Sequence, residues 1–171
     1  MTTPREAFAE IASLPDADID LAEAALWIAA EEYPELDVAA ELAKLDALAA
    51  DAALRLAGHE RLPDRVGALN RFLFSELAFR GNRDDYYDPR NSYLNEVLER
   101  RLGIPISLSL VYLAVAERAG VEAAGISFPG HFLLKCTGEA LVVVDAFQGT
   151  TLSREECQRR LDAVAGRPVA L

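Results

Sequence analysis

The chain predicts an α+β fold, and three features carry that prediction. Capped amphipathic segments fill the first hundred residues, one helix over 105–119 is apolar nearly all round, and short β-branched runs follow it. Helices, then a buried central helix, then an antiparallel meander and a last helix make a segregated layout.

Thr3, Pro4 and Glu6 supply a capping side chain, a proline at the first helical position and a capping-box partner, predicting a short helix that ends near Leu14. A second helix is predicted from about Asp20 to Glu32 on Leu21, Ala25 and Ile28, with Pro34 stopping it. Asp37 opens a third, with Val38, Leu42, Leu45, Leu48 and Ala52 as its stripe and Gly58 beyond its end. The fourth runs from Pro63 to about Phe79 on Val66, Leu69, Leu73 and Leu77. The polar run from Gly81 to Arg90 reads as a surface loop of a length that often carries function. Asn91 or Ser92 is expected to cap a fifth helix bearing Leu94, Val97 and Leu98, which Gly103 ends. The sixth, from Pro105 to Ala119, has Leu108, Leu110, Val111, Leu113 and Val115 around its girth, the pattern of a helix buried on all sides. Strands are predicted over 123–128, 131–135 and 141–145, and Ser153 with Glu156 opens a last helix ending near Val164.

The second hairpin carries the clearest chemical signal. A two-residue turn at Gly138 and Glu139 pairs residues whose numbers sum to 277, placing His131 and Asp145 within about one residue of being opposite. Opposed residues have Cβ atoms roughly 4.5–5.5 Å apart, a separation at which a carboxylate can orient an imidazole. A histidine and an aspartate that merely end their strands in solvent fit the same spacing. Neither cysteine reads as a matching nucleophile. Cys136 lies an odd number of residues from His131 on one strand, hence on the other face, and Cys157 shares a helical stripe with Leu161 and Val164.

Residues 1–60 hold 14 acidic and three basic side chains and residues 61–171 hold 14 of each, so the whole net charge of −11 belongs to the N-terminal third. The chain therefore divides into an acidic helical segment, 1–60, and a core, 61–171. The acidic surface repels phosphate backbones, so no nucleic-acid partner is expected. A solvated helical face explains the charge, and recruitment of a basic partner is the alternative. With no stretch approaching about 18 apolar residues and no basic-then-apolar leader, neither membrane insertion nor secretion is expected, which leaves a cytoplasmic setting. Two cysteines and two histidines make no disulfide framework or His/Cys metal site, so neither metal nor cofactor is expected.

The run from Asn91 to Ser109, the segment from Gly125 to Leu134 with Phe128-Pro129-Gly130-His131 inside it, and Val144-Asp145-Ala146-Phe147 together resemble the bacterial SirB-type transglutaminase-like proteins. These belong to the wider papain-like and transglutaminase-like superfamily. The resemblance is strong over 91–149, extends back to about 60, and over 1–60 amounts to generic acidic helices. It implies a transglutaminase-like core, with a buried central helix packed on a small antiparallel sheet. In active members that helix begins with Gly-x-Cys, about fifteen residues before its closing glycine. Counted back from Gly120, Gly103-Ile104-Pro105 stands in that place, so the resemblance implies proline where the nucleophile belongs. His131 and Asp145 match the His and Asp positions of the family. Longer SirB-type proteins resemble this chain and then continue into C-terminal helical repeats, so a sequence ending at Leu171 reads as either a naturally short version or a truncated one.

Two readings of function follow. In the first, the domain is non-catalytic and its cleft binds a peptide or protein partner, with His131 and Asp145 kept for structure or recognition. In the second, it is a hydrolase or acyltransferase in which Ser107, near a helix N-terminus, acts with His131 as base and Asp145 as orienter. Asn91, Tyr93 and Gln148 are the candidate cleft residues, although capping and loop solvation explain them equally well. The proline favours the binding reading, and the sequence is silent on oligomeric state.

Overall fold

A computed structural model describes residues 2–168. Three helices come first: α1 (Pro4–Ala12), α2 (Leu21–Glu32) and α3 (Val38–Leu56). Each begins at its predicted cap. Thr3 and Glu6 close a reciprocal capping box, Asp20 accepts the N–H groups of Ala22 and Glu23, and Asp37 accepts that of Ala40. The buried stripe of α3 contains Val38, Leu45 and Ala52 as expected, with Leu42 and Leu48 at its partly buried margin.

The buried face of α2 differs from the expected one. Leu21 and Ile28 are 53% and 50% exposed, whereas Ala22, Leu26, Ala29 and Ala30 are buried. All but three of its twelve residues are apolar, so periodicity could not select a face, and the alanine-rich side admits the closest approach of neighbouring helices.

The fourth predicted helix is broken in two. α4 (Leu62–Asn70) is followed by a wider π-turn over Arg71–Glu76, in which Leu77 donates to the Phe72 carbonyl five residues back. The extra residue keeps Phe72 and Leu73 in the core, and the chain leaves through Ala78 in the left-handed conformation, φ 59°. Next comes a short strand, β1 (Arg80–Gly81), and after the polar loop α5 (Leu94–Arg100) and β2 (Leu102–Gly103). β1 and β2 pair in parallel over two rungs, a contact too short for any sequence period to announce. Neither Asn91 nor Ser92 caps α5. Asp88 instead caps a single turn over Pro89–Asn91, and Arg101 at φ 58° ends α5 before Gly103 is reached.

α6 (Pro105–Arg118) is the central helix, with Leu108, Val111, Tyr112, Val115 and Ala116 all buried. The main sheet follows as a four-stranded antiparallel meander in the order β3 (Ala123–Phe128), β4 (His131–Thr137), β5 (Leu141–Asp145) and β6 (Thr150–Leu152), the last unforeseen. α7 (Arg154–Ala165) begins at the predicted capping box of Ser153 and Glu156. Cys157 is buried on α7 as its stripe predicts, but Val164 at the far end is 58% exposed.

α6 covers the sheet face carrying Leu134, Cys136 and Val144, where the Tyr112 hydroxyl lies 3.9 Å from Cys136 Sγ. α7 covers the other, where Leu133, Leu152 and Cys157 form a small second cluster. On the α6 side one apolar cluster runs without a break from Ala22 on α2 through Leu45, Val66 and Leu94 to Val144 and Ala146.

Candidate functional site

The turn between β4 and β5 decides how the site is built. It holds three residues, Gly138 to Ala140, because Thr137 pairs with Leu141, and paired residues therefore sum to 278. The two-residue turn expected from Gly138-Glu139 is corrected by one position, and the correction matters because a one-residue slip flips every side chain to the other face. With an odd sum His131 and Asp145 would point to opposite faces. With the observed sum they lie diagonally on the face under α7, and His131 Nε2 is 3.0 Å from Asp145 Oδ1. Glu139 is drawn out of the turn to accept the Leu62 N–H and cap α4.

His131 sits one residue after the tight Pro129-Gly130 turn, where Gly130 takes φ 72°, a conformation glycine adopts without strain. Asp145 is fully buried and every oxygen is used. Oδ1 accepts His131 and the N–H groups of Phe147 at 3.1 Å and Gln148 at 3.0 Å, and Oδ2 accepts Arg160 Nη1 at 2.7 Å. Burial alone would raise the Asp145 carboxyl, but the Arg160 guanidinium, His131 and the Gln148 N–H outweigh it and hold the group below the usual carboxylate range. The same carboxylate fixes the β5–β6 turn that presents Phe147 and Gln148. Arg160 escaped the sequence reading, yet a signal existed: the capping box sets the phase of α7, and Arg160 follows the inward Cys157 by three residues.

Ser107 is elsewhere. It belongs to the first turn of α6, is buried, and donates to the Asn91 carbonyl at 2.6 Å while accepting the Ile104 N–H at 3.1 Å. Among the described residues no hydrogen bond joins it to His131. Gly103 is required there, because a Cβ would stand 2.7 Å from Ser107 Oγ and 3.0 Å from Leu108 Cγ. Ser109 donates to the Pro105 carbonyl in the ordinary backward manner of a helical serine.

Asn91, expected at the cleft, is wholly buried and fastens the polar loop from within. Its Nδ2 donates to the carbonyls of Asp85 and Tyr86, and its Oδ1 accepts Asn82 Nδ2 at 3.0 Å. Tyr93 stands edge-to-face with Tyr33 and lines a different cavity, of about 350 Å³, with Phe8 and Trp27. Gln148 does adjoin the His131 site. It bonds Arg83 and lines a cleft of about 240 Å³ with Arg80, Arg83, Leu102 and Phe147. Phe147 joins the two, its ring centroid 6.3 Å from His131, 6.0 Å from Tyr86 and 5.4 Å from the Arg83 guanidinium carbon.

The arrangement holds an imidazole oriented by a buried carboxylate, with an arginine behind it and an aromatic, cationic cleft beside it. Both thiols are buried, Cys136 on the opposite sheet face and Cys157 packed on Leu133, and burial pushes each of them above the usual cysteine value. Among the described residues no three His, Cys, Asp or Glu side chains converge as a metal site would require. Nor is any helix among them long and apolar enough to cross a membrane.

Comparison with known proteins agrees with this architecture. The chain is 40% identical over 153 residues to a UPF0162 protein of Xylella fastidiosa (strain 9a5c), covering 88% of this chain and 54% of that one. It is 36% identical over 146 residues to UPF0162 protein PA3419 of Pseudomonas aeruginosa, covering 85% and 53%. A third relative is human F-box only protein 21, 44% identical over 103 residues, which are 54% of this chain and 16% of that protein. The chain thus spans about half the length of the bacterial relatives it matches. No solved structure matches it. A profile of the transglutaminase-like superfamily matches residues 39–171, and the chain belongs to that superfamily.

Proposed function

We propose that this chain is a non-catalytic transglutaminase-like domain, a binding or regulatory module whose cleft beside His131 takes a peptide or protein partner. One observation carries the reading. Ser107 spends its proton on the Asn91 carbonyl, so His131 has a carboxylate to orient it and, among the described residues, no hydroxyl hydrogen-bonded to it to deprotonate. Proline at the place of Gly-x-Cys supports it, since no neighbouring base turns proline into a nucleophile. Arg80 and Arg83 with Phe147 and Gln148 suit a ligand that carries a carboxylate and an apolar group. The match to 16% of F-box only protein 21 supports a domain carried as one part of larger proteins. Two unpaired thiols suit the reducing cytoplasm.

A fluorophosphonate probe tests the proposal, because it labels an activated serine and leaves a capping one untouched. The expected result is no labelling. Labelling that vanishes in both Ser107→Ala and His131→Ala, with circular dichroism unchanged, would overturn it in favour of a serine-dependent hydrolase or acyltransferase using Ser107, His131 and Asp145.

A further inference from the structure

The main sheet ends in two unequal edges. β6 is three residues long, whereas β3 presents six, from Ala123 to Phe128, none of them charged and none proline. Exposed edges are ordinarily blunted by charge, proline or a bulge, because free N–H and C=O groups pair with any strand that arrives. The register identifies the free groups. Thr137 donates to the Glu122 carbonyl, so residues 122, 124, 126 and 128 direct both backbone groups at β4, and Ala123, Gly125 and Ser127 turn theirs outward.

Beside this edge α6 and the start of α2 leave an open groove of about 580 Å³, with Leu21, Leu110, Leu113 and Ala114 on its walls. Glu117 and Glu122 stand where β3 begins, both exposed, and neither carboxylate has a partner among the described residues. Two of the nearby cations are already engaged. Arg118 lies between Asp20 at 2.8 Å and Asp46 at 2.9 Å, and Arg65 donates to the carbonyls of Ala119 and Gly120.

We propose that the β3 edge docks an extended segment of a partner protein, apolar at alternate positions and carrying lysine or arginine at the end that meets Glu117 and Glu122. Laid along β3, its backbone bonds Ala123, Gly125 and Ser127, and every second side chain falls against Leu110 and Leu113. Its basic end meets two exposed carboxylates that have no partner among the described residues. The groove lies apart from the cleft beside His131, so it stands or falls independently of the reading given above.

The test titrates a fluorescein-labelled peptide of alternating valine and threonine, flanked at both ends by lysines, against the whole chain by anisotropy. A glutamate-flanked counterpart serves as control, and amide hydrogen exchange is read alongside. Saturable binding of the lysine peptide is expected, with protection of the Ala123, Gly125 and Ser127 amides. Affinity should fall by about tenfold or more when Glu117→Lys and Glu122→Lys are combined, and also in Ser127→Pro, which removes only an outward N–H. Arg83→Ala should leave it unchanged. The charge reversals fall on exposed positions, so they decide the matter even where the proline variant fails to fold. Absent binding, equal binding of the glutamate peptide, indifference to the charge reversal, or a β3-mediated dimer of this chain in sedimentation would each overturn the proposal.

Discussion

Asp145 shows how much one side chain can hold. Its two oxygens tie together the start of β4, the β5–β6 turn and α7, all from a fully buried position. Replacing it with asparagine keeps the shape, discards the charge and leaves Arg160 facing a neutral amide. A loss of about 2–3 kcal/mol is expected near neutral pH, discounted from the fully buried case because Arg160 is partly exposed. Since the folded carboxyl is held below its unfolded value, its contribution is complete above an unfolded pKa of about 3.9 and disappears as pH falls through the lower folded value. Urea denaturation of both proteins at neutral pH and at pH 3 or below checks this. The gap between them should narrow on acidification, and a gap that widened would contradict the assignment.

Two glycines give opposite predictions at the level of elements. Gly103→Ala drives a methyl group into Ser107 and Leu108 at the first turn of α6, and about 1–3 kcal/mol should be lost. Gly67→Ala on α4 meets nothing within 4 Å, and a gain of up to about 1 kcal/mol is expected from its better helix propensity. Thermal melts should move in opposite directions. The elements that were legible in the sequence are those whose boundaries are chemically local. Thr3, Asp20, Asp37 and Ser153 announce helices because a cap acts within three residues. β1, β2 and β6 were not legible, being two or three residues long, and β1 and β2 are also held by partners distant in the chain. The site divides in the same way. The nearness of His131 and Asp145 followed from hairpin arithmetic, though the register was off by one. The inward turn of Asn91 depends on a loop folding back on itself, which no spacing encodes, and the capping box sets the phase of Arg160 on α7 without saying where α7 docks.

At the scale of the whole molecule, the sheet separates two bodies of packing of very different size. The α6 side belongs to a cluster reaching back to α2, while the α7 side rests, among the described residues, on three buried apolar residues and a few partly buried ones. Stability in such a structure is not uniform, and the smaller body is expected to open first. Each side carries one thiol: Cys136 under α6 and Cys157 on α7. The pair therefore works as two chemical clocks in one chain. In a disulfide reagent under native conditions, Cys157 should react at a rate nearly indifferent to low urea, because lifting α7 exposes little surface. Cys136 should react far more slowly, with a steep urea dependence that follows global unfolding. Equal rates, or Cys136 reacting first, would refute this ordering. Because α7 also brings Arg160 to Asp145, the faster clock times something more specific than fraying: it counts how often the carboxylate beside His131 loses its arginine.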